Sequence, residues 1–119
     1  MILVLAVDTT ESTALDRVIW YLDGVRQAVT VTNQIGQNEN ISVAADVTHS
    51  WGSFIASSAP RLPFDGYLAE FIAVDGQQLA PTSFGVANSD GVWTPIPYSG
   101  TYGTNGFNLQ FENAAALGT

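Results

Sequence analysis

At 119 residues and a formal net charge of -8, with three basic side chains (Arg17, Arg26 and Arg61) against 11 acidic ones and neither lysine nor cysteine, the chain excludes several classes at once. Binding a nucleic acid or an anionic membrane surface calls for a basic patch, and a disulfide framework or thiolate metal site calls for cysteine. With 46% hydrophobic and 11% aromatic residues there is apolar material for a core, and the length predicts one domain over 1–119.

Ile2 to Val7 is a continuous apolar run that meets Asp8 and a polar cluster through Thr13. Without a basic n-region it reads as a buried strand, not a secretory signal. No apolar run approaches the roughly 20 residues of a membrane-spanning helix, so no membrane association is expected. Arg17–Leu22 and Val25–Val31 flank Asp23-Gly24, the pair that favours a type I′ hairpin because both residues tolerate positive φ. In that register Val18, Trp20 and Leu22 share a face with Val25 and Val29, and the Trp20 face is assigned to the core.

From Thr32 to Ser42 the sequence TNQIGQNENIS is a polar connection between sheets. Short strands are expected over Ile41–Val47 and Ser53–Ala56. Pro60 and Pro63 suit an edge or a corner. From Phe64 a strand is predicted to run to Val74. Its two faces, Tyr67/Ala69/Phe71/Ala73 and Leu68/Glu70/Ile72/Val74, are both largely apolar, which implies cover on one side by a second sheet and on the other by a loop, an inserted aromatic or a partner chain. Tyr67 and Phe71 are the candidate partner-interface residues. Asp65 and Asp75, each followed by glycine, read as turn residues. Leu79–Phe84 is expected to make at most a single helical turn with Pro81 at its start. A Gly, Thr, Asn and Tyr-rich segment then leads through Asn105-Gly106 into a last strand, Phe107–Phe111. The fold class predicted is all-β, an antiparallel sandwich or jelly roll.

The ordered segments LAVDTT, DRVIWYLDGV, FDGYLAEFIAVDGQQLAPTSFG and GVWTPIPYSGTYGTNGFNLQF resemble the concanavalin A-like, laminin G-like jelly-roll modules of bacteriophage virion proteins, especially tail-fibre and surface proteins. The likeness covers most of the chain and is weakest from Gln34 to Ser58. It matches the C-terminal half of the usual module, since only Met1 to Val4 precede LAVDTT. The sandwich is therefore expected to be either reduced or completed by a partner chain, because unpaired strand edges recruit other strands.

The resemblance implies a non-enzymatic virion structural protein at the particle surface, a capsid decoration or tail-associated subunit. Its partners would be other virion proteins and copies of itself. The alternative it implies is a glycan-binding receptor-recognition module of a tail fibre, which would contact a host surface glycan. Trp93, Tyr98, Tyr102 and Asn105 are the candidate ligand-binding residues for that alternative, as aromatics and an amide among small neighbours. The same residues suit a second role, with Trp93 and Tyr98 plugging the end of the sandwich.

No catalytic residue is assigned, since glycoside hydrolysis needs paired carboxylates and Glu70 has no acidic neighbour two residues away on its strand. Glu70 is instead expected to anchor a backbone amide or an arginine. His49 is the single histidine, so neither a histidine metal cluster nor a histidine-based triad is predicted. Asp8, Glu11 and Asp16 read as solvated loop carboxylates rather than a calcium site. No cofactor is expected.

Overall fold

The computed structural model describes residues 1–30, 32–42, 49–56 and 59–111. The described residues are all-β, with no α-helix and two single 3₁₀ turns, Ala14–Asp16 and Pro81–Ser83. The strands are β1 (Leu3–Val7), β2 (Val18–Leu22), β3 (Val25–Arg26), β4 (Phe54–Ala56), β5 (Ala59–Arg61), β6 (Phe71–Ala73), β7 (Gly85–Ala87), β8 (Trp93–Pro95) and β9 (Phe107–Leu109). They form one three-stranded and three two-stranded sheets, all antiparallel. The chain divides into two compact units, Met1–Ile41 with Gly76–Thr101, and Ser42–Asp75 with Tyr102–Thr119.

The first unit is built on β1-β2-β3. Asp23 (φ 47°) and Gly24 (φ 79°) both sit in the left-handed region, so the turn is the type I′ that the sequence predicts. Leu22 pairs with Val25 and Tyr21 with Arg26. Asp23 also closes the sheet on its other side: its N–H donates to the Ile2 carbonyl (2.9 Å) and its carboxylate accepts from the Ile2 N–H (2.7 Å). Across β1 and β2 the partners run from Leu3–Leu22 to Val7–Val18.

Which face is covered differs from the expectation. Ala6 is 5% exposed and its cross-strand partner Ile19 is half-buried, whereas Leu3 (57%), Leu5 (47%) and Val25 (64%) are exposed along with Trp20 on the other side. The Trp20 face is therefore open and the Ala6 face covered. The physical reason is that LVLAV and VIWYL are apolar at every position, so no polar alternation selects a side and packing elsewhere in the unit decides.

The rest of this unit is a second hairpin, β7-β8, whose loop is organised by Asn88. Its side-chain oxygen accepts from the N–H groups of Asp90 and Val92, both at 2.9 Å, and Gly91 takes φ 78°. The turn ahead of it begins at Pro81, which is buried at the first helical position as predicted.

In the second unit β4 pairs with β5, placing Ile55 opposite Pro60, and β6 pairs with β9, placing Phe71 opposite Leu109 and Ala73 opposite Phe107. An isolated pair leaves an outer edge on which proline is tolerated. The Ser53–Ala56 strand is present as Phe54–Ala56, while the strand expected at Ile41–Val47 lies largely outside the described residues.

The long strand predicted from Phe64 to Val74 is reduced to Phe71–Ala73. Glu70 has φ 55°, a left-handed conformation that turns its peptide groups out of any ladder, and the apolar residues before it, Phe64, Tyr67 and Leu68, are exposed. Likewise Phe111 (φ 57°) ends the last strand, which spans Phe107–Leu109 rather than reaching Phe111. Glu70 is exposed and makes no hydrogen bond or ion pair among the described residues, in place of the amide or arginine partner expected. Glu70→Gly is accordingly expected to raise the urea midpoint, by up to about 1 kcal/mol of stability, because glycine meets no Cβ penalty at positive φ. A lowered midpoint would reveal a contact made by the glutamate.

Candidate functional site

Two of the candidate ligand-binding residues belong to the first unit. Trp93, on β8, is half-buried, and its indole lies against two glycines. A Cβ built on Gly24 would come within 2.7–2.9 Å of the ring, and one on buried Gly85 would collide with the pyrrole edge. The indole N–H is buried and finds no acceptor among the described residues. Tyr98 folds back over Gly100, its ring centroid 5.2 Å from that of Phe84 and its hydroxyl donating to the Thr101 carbonyl at 3.0 Å. Gln77 adds a side-chain hydrogen bond to that same carbonyl (3.1 Å).

Tyr102 and Asn105 belong to the second unit. Asp75 draws this segment in: its N–H donates to the Tyr102 carbonyl (2.8 Å), and its carboxylate accepts from the Asn105 side-chain amide (3.0 Å) and backbone N–H (3.3 Å). Gly103 and Gly106 permit the close backbone approach, since a Cβ on either would strike a carbonyl oxygen, of Asp75 and of Tyr102 respectively.

Of the two candidate interface residues, Tyr67 is fully exposed and Phe71 is half-buried. Phe71 lies between Trp51 (centroids 4.0 Å apart) and Phe107 (5.7 Å), and His49 continues the row at 6.4 Å from Trp51. Sequence reasoning missed this aromatic row. Its signal was the placement of Phe71 and Phe107 on β strands of matching parity, with Trp51 in a loop whose destination no local pattern specifies.

The acidic loop that follows β1 is held by its own chain. The Thr10 hydroxyl (2.7 Å) and then the Thr10 N–H (2.9 Å) donate to the Asp8 carboxylate and keep its pKa below the ordinary aspartate value. A depressed folded-state pKa adds stability above the unfolded value of about 3.9, and that contribution disappears as pH falls through the folded value. Thr10→Val is expected to move the Asp8 pKa up toward the ordinary value in an NMR titration of its carboxyl carbon. An unmoved titration curve would mean that the hydroxyl has no part in the shift. Asp16 pairs with Arg26 at 2.6 Å in an exposed salt bridge of the kind worth at most about 1 kcal/mol. No group of three His, Cys, Asp or Glu placed to hold a metal ion occurs among the described residues.

What remains unengaged is apolar surface. Leu3, Leu5, Trp20 and Val25 lie on the open face of β1-β2-β3, and β1 is an edge strand. Among the described residues no helix is long and apolar enough to cross a membrane.

The chain matches no protein-family model, no curated protein and no solved structure.

Proposed function

We propose that the chain is a non-enzymatic structural component of a bacteriophage particle, a capsid decoration or tail-associated subunit with a jelly-roll sandwich fold, acting through protein–protein contacts at the particle surface. The virion assignment stands on the resemblance of the four ordered segments. The observation that carries the mode of action is the open face bearing Leu3, Leu5, Trp20 and Val25 beside the β1 edge. Small sheets with exposed apolar sides and unpaired edges are stabilised by association. The glycan-binding alternative draws less support from the geometry, because Trp93, Tyr98 and Asn105 are occupied by contacts with their own chain.

Quantitative mass spectrometry of purified particles tests the proposal. A fixed copy number per particle is the expected result, and absence of the polypeptide from particles would overturn it. A glycan array probed with the purified chain tests the alternative separately, with specific, saturable binding as the outcome that would favour it.

A further inference from the structure

On the protein–protein reading above, we infer that the partner of β1 is a second copy of this chain, paired antiparallel through Leu3–Val7 about a two-fold axis at Leu5. The hydrogen-bond parity of β1 is set by two bonds: the Asp8 N–H donates to the Arg17 carbonyl, and the Asp23 N–H donates to the Ile2 carbonyl, each at 2.9 Å. Even-numbered residues from Ile2 to Asp8 thus turn their peptide groups toward β2, and Leu3, Leu5 and Val7 turn theirs outward. No described residue bonds to that outward edge.

The edge lacks the devices that keep strands apart. Leu3–Val7 contains no charge, no proline and no bulge. It is also self-complementary. With Leu5 opposite its symmetry mate, Leu3 meets Val7 twice, all three are hydrogen-bonding positions in both copies, and every side chain on that side is apolar. The net charge of -8 opposes the pairing only weakly at the joint. Asp8 falls opposite Ile2 of the other copy, whose N–H is held by that copy's Asp23 carboxylate, so Asp8 and Asp23 stand roughly 10 Å apart across the strands, at the ~8–10 Å screening length, and the two Asp8 residues roughly 20 Å apart along them. Leu3, Leu5 and Trp20 of the two copies would then form one continuous apolar strip on a joined sheet.

The purified full chain tests this by sedimentation equilibrium and by cross-linking. The expected mass is twice that of the monomer. Leu5→Pro removes only an outward N–H, so it should leave the far-UV circular dichroism of the chain in place and weaken the dimer by about tenfold or more. Leu5→Lys, which sets like charges directly opposite each other, serves if the proline variant does not fold. Because the chain has no cysteine, Leu5→Cys gives a single reporter. Facing residues about 5.5 Å apart at Cα are within disulfide reach, so it should oxidise to a covalent dimer faster than the exposed Val86→Cys control. A monomer at every concentration, a dimer that the Leu5 variants leave unchanged, or cross-linking no faster than the control would each overturn the pairing. A dimer of a chain absent from particles would sink the virion reading alone, and a monomer found in particles would sink the pairing alone.

Discussion

Arg17→Met is expected to lower the stability of the chain by roughly 2–4 kcal/mol, the largest loss from any single side chain described. Arg17 is only 9% exposed, and its guanidinium spreads over three carbonyls: Nε to Glu11 (2.8 Å), Nη1 to Ile35 (2.8 Å) and Nη2 to Ser12 (3.0 Å). A hydrogen bond from a charged donor contributes about 1.5–3 kcal/mol, and the sum is held down because solvent can reach some of the carbonyls once the side chain is gone. The planar fork reaches three acceptors at once, which a lysine ammonium cannot copy, so Arg17→Lys is expected to recover less than half of the loss. Urea midpoints at constant m-value are the measurement. A methionine variant within about 0.5 kcal/mol of wild type would show that the loop carbonyls are as well served by water.

Trp93→Ala is expected to cost about 2–3 kcal/mol, below the 3–5 typical of a fully buried tryptophan because the residue is half-buried. The loss arises where the indole fills the space above Gly24 and Gly85, and its converse is a second test. Gly85→Ala places a methyl group against the ring and should destabilise by roughly 1–3 kcal/mol through overpacking. If Trp93→Ala instead unfolds at the wild-type urea midpoint, the indole is not a packing residue and returns as a ligand contact. The stability measurement must accompany any binding assay of this variant, since loss of glycan binding by an unfolded chain carries no information about recognition.

The parts of the fold legible in the sequence were those decided within a few residues. Asp23-Gly24 requires positive φ at both positions, and Pro81 presets the first residue of its turn, so neither depends on distant contacts. The β7-β8 hairpin was not anticipated: its turn is a loop closed by the Asn88 side chain, and its flanking strands are only three residues each. Local pattern misled at Glu70, where a largely apolar run from Tyr67 to Val74 concealed a left-handed residue with no glycine to announce it. It misled again on β1-β2, where the Trp20 face was assigned to the core although no polar alternation in either strand selects a side, and the covered face is that of Ala6.

The candidate site was legible in residue type and not in engagement. Trp93, Tyr98 and Asn105 have the chemistry of sugar contacts, yet what occupies them comes from Gly85, Phe84 and Asp75, each at least eight residues away in the chain. Such pairings are fixed by closure of loops whose lengths say little about their destinations.

The two compact units interleave along the chain, the first being completed by Gly76–Thr101 and the second by the segment from Tyr102. On a ribosome, elongating at about 5–20 residues per second, neither unit can close as its early strands emerge. β1 and the first hairpin would wait several seconds for Trp93 and its neighbours, with LVLAV and Trp20 exposed in the interval. Chaperone capture of nascent chains halted before and after Thr101 would time that interval.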